Sequence, residues 1–268
     1  MLAHVAEAPL PDILRAKILQ ATATLAYRQG DYPLARQWLK ESLAIYQSSA
    51  DRSGMARVLF DLGWIAIDQG DLCEATHLNQ ESLAIARDVE DPWAMYRALT
   101  NLGWTQLSTG DWTSAAALFN ETYDLARRIG HTKGVAVSQA NLGWIALYQK
   151  DIPCATALAG ESLRLCYLLG EREVLAECLE ILAVAAVKGG EVERGTILSG
   201  AAQALWEALH VTRSITQHSA ATHAQAVTVM RQQLPEAVFH SLWQQGRIMS
   251  LDSVVGLALD RDIDVYTS

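Results

Sequence analysis

The chain contains 268 residues, of which 50% are hydrophobic and 19% are charged, and its formal net charge is -9. This composition fits an ordered globular protein and excludes a disordered one, because the apolar content is high and the charge content is ordinary. The acidic balance disfavours nucleic acid or an anionic membrane as the main partner, since phosphate binding requires clustered Lys and Arg.

No uncharged stretch approaches the roughly 20 apolar residues that a membrane-spanning helix requires. The segment from Met1 to Pro11 lacks the basic start and the long apolar run of a signal peptide. We therefore expect a cytoplasmic protein with no membrane partner, in which residues 1–11 form an N-terminal extension.

Apolar residues at helical spacing predict a first helix over residues 12–30. The helix ends at Gly30, and Asp31 is a candidate N-cap for a second helix that carries Trp38 and Leu43. The same stop and start signals recur every forty residues, without insertion or deletion. They are Gly30-Asp31, Gly70-Asp71, Gly110-Asp111, Lys150-Asp151 and Gly190-Glu191.

A second pattern with the same period lies inside the first helix of each central repeat. It reads Asp61-Leu62-Gly63-Trp64, Asn101-Leu102-Gly103-Trp104 and Asn141-Leu142-Gly143-Trp144. Self-similarity at a fixed period is typical of stacked helical arrays. The sequence therefore predicts an all-α solenoid of about five 40-residue helix-turn-helix repeats over residues 12–210. The predicted repeats are 12–50, 51–90, 91–130, 131–170 and 171–210.

After residue 210 the repeat is lost, and the pattern predicts three helical segments. They are His218 to Gln233, Pro235 to Gly246 and Leu251 to Leu259. The end of a solenoid has to cover an apolar face that would otherwise be exposed. Residues 211–268 are therefore predicted to form a C-terminal helical cap and a tail, of which Asp260 to Ser268 are expected to fray.

The combination of Leu62-Gly63, Gly70-Asp71 and Ala75 resembles the tetratricopeptide repeat. That family's unit has about 34 residues. The present unit has 40, so we expect each helix to be longer by about a turn. A right-handed α-solenoid is the fold that this resemblance implies.

The longer unit is similar to repeats in the C-terminal part of large bacterial signal-transduction ATPases of the NB-ARC and LuxR type. The segments that carry this similarity are Ala35 to Ala44, Leu198 to Trp206 and Leu242 to Leu251. The sequence shows no Walker A loop, no helix-turn-helix module and no catalytic segment, so the nucleotide and DNA functions of those relatives are not carried over. The chain is then either a C-terminal sensor fragment or an independent repeat protein.

The resemblance also implies that the first helix of each repeat lines a concave face, with the residue after the repeated glycine in the groove. Large rings suit such a groove, because they bury much area at little cost in rotamer entropy. The candidate partner-binding residues are Trp64, Trp104, Trp144, Arg57, Arg97, Asn101, Asn141 and Tyr148. The alternative is that the tryptophans pack between successive helices and that the polar groups bond neighbouring helices.

The enzyme hypothesis finds little support in the sequence. The four cysteines, Cys73, Cys154, Cys166 and Cys178, have no metal-ligand spacing, and we expect buried, reduced thiols. The seven histidines are scattered, and we expect them on the surface or at helix caps. We therefore predict no catalytic residue, no metal and no cofactor.

The leading hypothesis is a non-enzymatic protein interaction and sensing module. It would bind a peptide or a partner protein on its concave face, within a bacterial signalling or transcription-regulatory system, and would make no direct contact with nucleic acid. Two alternatives remain open. One is a self-associating scaffold, and the other is a small-molecule effector-binding domain of a larger ATPase regulator.

Overall fold

The computed structural model describes residues 11–209 and 217–260. These residues form thirteen α-helices and contain no strand, which confirms the all-α prediction. The helices are α1 (Asp12–Arg28), α2 (Tyr32–Ser48), α3 (Arg52–Asp68), α4 (Leu72–Asp88), α5 (Pro92–Thr109), α6 (Trp112–Arg128), α7 (Thr132–Tyr148), α8 (Ile152–Leu169), α9 (Arg172–Lys188), α10 (Val192–Leu209), α11 (Gln217–Gln233), α12 (Glu236–Ile248) and α13 (Leu251–Leu259). The predictions for residues 1–10 and 261–268 lie outside the described residues.

The helices α1 to α10 form five pairs whose starting residues are forty positions apart. The first helices begin at Asp12, Arg52, Pro92, Thr132 and Arg172. The second helices begin at Tyr32, Leu72, Trp112, Ile152 and Val192. The period in the sequence is therefore the period of the helices.

Aspartate N-caps and left-handed residues set the ends of these helices. The Leu34 amide donates to Asp31 Oδ1 at 3.1 Å, so the predicted cap is confirmed. Asp71, Asp111 and Asp151 cap α4, α6 and α8 in the same way. The turn before each cap contains a residue with positive φ, which is glycine in most copies and Lys150, with φ +64°, in the fourth.

A repeated hydrogen bond joins the second helix of a pair to the first. The hydroxyl groups of Ser42, Ser82 and Ser162 donate to the carbonyl oxygens of Ala16, Ala56 and Ala136, at 2.8 to 2.9 Å. All three serines are fully buried. The small residue that recurs here therefore allows close packing and also satisfies its own polar group.

The chain divides into two compact units, residues 1–105 and 106–268. In the first unit, the buried alanines of α1 pack with Leu39 and Tyr46 of α2 and with Val58 and Ile65 of α3. Gly54 allows the Tyr46 ring to lie close to α3, because a Cβ at Gly54 would stand 2.3 Å from that ring. One apolar cluster thus joins the first two helix pairs.

In the second unit, three further helices pack on α8, α9 and α10, at the positions that the sequence predicts. The closest approach is between α10 and α12. A Cβ at Gly246 would stand 1.9 Å from the Ile197 carbonyl oxygen, and one at Gly200 would stand 2.3 Å from the Trp243 carbonyl oxygen. The two glycines therefore permit contact between the backbones of the two helices.

Two expectations about single residues are wrong. Cys73 and Cys154 are exposed, because they lie in the first turn of a second helix, on its outer side, whereas Cys166 and Cys178 are buried. His223 is buried, with its Nε2 atom 3.2 Å from Ser199 Oγ, because α11 packs against the helix pair before it.

None of the helices that the structure describes is both long enough and apolar enough to cross a membrane.

Candidate partner-binding site

A cavity of about 260 Å³ lies between the first helices of the first two pairs. It is lined by Ala23, Thr24, Tyr27, Leu39, Phe60, Asp61, Trp64 and Ile65. The lining is mostly aliphatic and aromatic, with one carboxylate. This arrangement, an apolar space beside a few oriented polar groups, is typical of a binding site.

The cavity exists because Thr24 stands where the central repeats have tryptophan. Trp64, Trp104 and Trp144 follow each other at forty-residue spacing, and the same spacing leads back from Trp64 to Thr24. Both Thr24 and Trp64 line the cavity. The smaller side chain leaves open a space that a second indole would occupy.

Trp64 is held in place by a short chain of hydrogen bonds at the cavity wall. Its Nε1 atom donates to the Tyr27 hydroxyl at 2.6 Å, and that hydroxyl donates to Asp68 Oδ2, also at 2.6 Å. Burial, together with the bond to Asp68, raises the pKa of Tyr27. Partial burial also raises the pKa of Asp68, although the bond from Tyr27 opposes this shift. The indole therefore has a fixed orientation and a partly exposed ring.

Asp61 supplies the carboxylate of the cavity and is ion-paired to Arg97. Arg97 Nη2 lies 2.8 Å from Asp61 Oδ1, and Gln20 Nε2 donates to the other carboxylate oxygen at 2.5 Å. Burial raises the pKa of Asp61, and the charge of Arg97 opposes this shift. Arg97 also lies 3.9 Å from the centroid of the Phe60 ring, and Arg57 lies 5.9 Å from that of Tyr46.

Asn101 and Trp104 are in the first unit, but little of either is accessible. Trp104 is 7% exposed and Asn101 is fully buried. The Asn101 amide donates to the Phe60 carbonyl oxygen at 3.2 Å and to Asn79 Oδ1 at 2.9 Å. Asn79 in turn lies against Gly63. Asn101 thus forms part of a buried polar network between helices.

In the second unit, Trp144 is fully buried and Tyr148 is partly exposed. The Trp144 indole donates to Glu177 Oε1 at 3.0 Å, and burial raises the pKa of Glu177 to about 7. The Tyr148 ring stacks on Trp112, with 4.3 Å between centroids. Asn141 is 1% exposed, and its amide atoms have no hydrogen-bond partner among the described residues.

The predicted residues therefore occupy different depths. Trp64, Arg97 and Arg57 are partly exposed. Trp64 lines the cavity, and Arg97 is ion-paired to Asp61, which also lines it. Trp104, Trp144, Asn101 and Asn141 are buried. The sequence prediction did not include Asn79, Glu177 or Gln20, because their own helices give them no recurring pattern. Their roles depend on contacts with other helices.

The family comparison supports the tetratricopeptide resemblance. Residues 14–88 match the model described as tetratricopeptide repeat. This match covers the first two helix pairs almost completely, including every residue that lines the cavity. A comparison with curated proteins finds no match.

Solved structures share the fold at low sequence identity. Aspartyl phosphate phosphatase F from Bacillus subtilis is 14% identical, with a TM-score of 0.62 over 84% of this chain and 61% of that chain. The apo form of RapI is 11% identical, with a TM-score of 0.60 over 86% of this chain and 96% of that one. The third structure is a signal transduction ATPase with numerous domains and a tetratricopeptide repeat sensor, from Pyrococcus horikoshii. It is 14% identical, with a TM-score of 0.58 over 90% of this chain and 40% of that chain.

The present chain thus spans about 61% of the length of the phosphatase and 40% of the ATPase. At these identities the similarity concerns the fold. It confirms the predicted likeness to tetratricopeptide-repeat proteins, among them a signal-transduction ATPase whose description includes a tetratricopeptide repeat sensor. This fold is typical of protein–protein interaction modules.

Proposed function

We propose that this chain is a non-enzymatic interaction module that binds a partner protein through the cavity between α1 and α3. The observation that carries the proposal is the cavity itself, with its apolar lining, the fixed indole of Trp64 and the carboxylate of Asp61. The occupant is one large apolar side chain of an extended partner segment. Such anchor side chains in pockets dominate the energetics of protein interfaces.

The size of the cavity favours a side chain over a metabolite. Sites for small molecules and cofactors are typically about 300 to 1,000 Å³, since they enclose most of a ligand. The present cavity, at about 260 Å³, lies just below that range. A small-molecule effector is therefore the less favoured occupant.

The charge around the cavity suggests what accompanies the anchor. Asp68 accepts a hydrogen bond from Tyr27 and is exposed, so its remaining acceptor sites are open to a partner. The net charge of -9 also favours the approach of a basic segment. We expect the partner segment to carry Lys or Arg within a turn or two of the apolar anchor.

A selection from random linear peptides, followed by calorimetry, tests this proposal. Thr24→Phe places a ring in the cavity from an exposed position, so it should abolish binding of the selected peptides while leaving the helical signal intact. Thr113→Phe makes the same chemical change at an exposed site in α6 and should leave binding unchanged. Equal affinity of the two variants for the selected peptides would show that these peptides do not bind in the cavity.

A role as the sensor arm of a larger signalling protein is a second candidate. It is favoured by the match of 90% of this chain to a structure whose description includes a tetratricopeptide repeat sensor. Sequencing of the gene upstream of Met1 tests it. An ATPase domain in the same reading frame supports the sensor arm, and a stop codon there would favour an independent adaptor.

A further inference from the structure

The outer face of α1 inverts the usual distribution of side-chain size. Its fully buried residues are Ala16, Ala23 and Ala26, whereas three of its large aliphatic residues are exposed. Leu14 and Ile18 are each 44% exposed, and Leu25 is 61% exposed. With the exposed Ala21, these residues are spaced by four, three and four positions, so they form one continuous stripe along the helix. We refer to Leu14, Ile18, Ala21 and Leu25 as the α1 stripe.

The next repeat shows what this face does when it is covered. The positions forty residues after Leu14, Ile18 and Leu25 are Gly54, Val58 and Ile65, and all three are buried. Val58 and Ile65 share a core cluster with Leu39 and Tyr46 of α2, and Gly54 lies under the Tyr46 ring. The corresponding face of α3 is thus a helix-packing interface, and no helix among residues 11–209 and 217–260 covers the equivalent face of α1.

Charge identifies the kind of helix that fits. Lys17 and Arg28 stand four and seven residues from Ala21, so they follow one border of the stripe. Both are exposed, and neither forms an ion pair with any residue in the part of the chain that the structure describes. Arg15, on the opposite border, is already paired to Glu41. Within residues 11–209 and 217–260, the border of Lys17 and Arg28 is therefore a basic edge with no acidic partner, on a protein whose net charge is acidic.

A second copy of the chain fits this face poorly. If two α1 helices paired antiparallel about a two-fold axis, Lys17 and Arg28 of both copies would line the same side of the interface. Like charges in such an arrangement repel. The basic edge instead complements a helix of opposite charge.

We propose that the α1 stripe is a docking surface for an amphipathic helix of a partner protein, with leucine-type residues on its apolar face and Asp or Glu along one border. The helix occupies the position that α2 occupies against α3. This surface adjoins the cavity beside Trp64 along the border that contains Thr24, but the two proposals rest on different observations and are tested by different substitutions.

A pair of designed helical peptides tests the docking surface on the full chain. One peptide has a leucine face with a glutamate border, and the other has lysine in place of every glutamate. Fluorescence anisotropy should show binding of the acidic peptide and little binding of the basic one. The double variant Lys17→Glu and Arg28→Glu should weaken the acidic peptide about tenfold and strengthen the basic one.

Substitutions in the stripe provide the second arm of the test. Ile18→Gln and Leu25→Gln should each weaken the acidic peptide about tenfold, because each removes an apolar contact. Leu168→Gln, at an exposed leucine in α8, is the matched control and should have no effect. Trp64→Ala, which changes the cavity wall on α3 and leaves α1 unaltered, should leave this binding intact, which separates the result from that for the cavity.

Three outcomes would overturn the proposal. The first is equal binding of the acidic and basic peptides, or binding of neither. The second is a dimer in light scattering that Ile18→Gln dissociates, because it would assign the stripe to a second copy. The third is binding to phosphatidylserine-containing vesicles that Ile18→Gln abolishes, because it would assign the stripe to a lipid surface.

Discussion

At the scale of single residues, the turn before α8 contains the most conspicuous departure from the repeat. Lys150 has φ +64°, at the position where the first three repeats have Gly30, Gly70 and Gly110 with φ between +77° and +82°. A residue with a Cβ is strained in this left-handed conformation, by about 1 to 2 kcal/mol. The fourth repeat therefore carries a local strain that glycine removes in the others.

We predict that Lys150→Gly stabilises the protein by about 1 kcal/mol, with Gly70→Ala as the reverse test. A Cβ at Gly70 would meet no atom within 4 Å, so its cost would come from the backbone alone. Urea unfolding of both variants measures the effect. A loss of stability in Lys150→Gly, or none in Gly70→Ala, would show that φ does not determine the stability of this turn.

Glu177 links stability to pH. Burial raises the pKa of Glu177 from its ordinary value of 4.5 to about 7 in the folded protein, so folding favours the protonated carboxyl group. The contribution of this group to stability is therefore complete below about pH 4.5 and is lost as the pH rises to about 7. Glu177→Gln keeps an acceptor for the Trp144 indole but does not titrate.

We predict that the melting temperature of Glu177→Gln, relative to the parent, rises as the pH is raised from 4.5 to 7 and is constant above 8. Thermal unfolding followed by circular dichroism at several pH values gives this difference directly. A difference that does not vary with pH would mean that Glu177 ionises normally in the folded chain.

At the scale of helices, the sequence predicted the elements well because their end signals are local. Aspartate caps and left-handed glycines act within one turn, so the starts of α2 to α10 could be read from the forty-residue spacing. The docking of α12 on α10 could not be predicted from the sequence. It depends on Gly246 facing the Ile197 carbonyl oxygen, a contact across 49 positions that has no periodic signature.

The contact between α10 and α12 gives a prediction with an internal control. Gly246→Ala should destabilise the chain by about 2 kcal/mol or more, because its Cβ would meet backbone that cannot move independently. Gly143→Ala should be neutral or slightly stabilising, since the nearest atoms stand at 3.5 Å and alanine favours helix. Urea unfolding compares the two. If Gly246→Ala were as stable as Gly143→Ala, α12 would have to be able to shift away from α10.

The candidate site was only partly predictable from sequence. Periodicity places Trp64, Trp104 and Trp144 in one column, but it does not give their depth. Depth depends on neighbours: Trp144 is enclosed beside Glu177, whereas Trp64 faces the space that Thr24 leaves. The assignment of the column to partner binding therefore remains a prediction, and it is strongest at Trp64.

At the scale of the whole molecule, the chain combines an acidic net charge with two neighbouring candidate surfaces on its first helices. The cavity is an anchor site with an exposed carboxylate nearby, and the α1 stripe has a basic edge. The two surfaces should therefore select partners of opposite charge. Because α1 contributes to both, the first two helix pairs carry most of the proposed binding function.

The central claim is that the partner's side chain enters beside Trp64. The chain has eight tryptophans, so an NMR spectrum with 15N-labelled indoles resolves each site once it is assigned by substitution. On titration with a selected peptide, we predict a large shift of the Trp64 indole resonance and no shift of the Trp144 resonance. A shift of Trp144 or Trp104 with Trp64 unchanged would contradict the account.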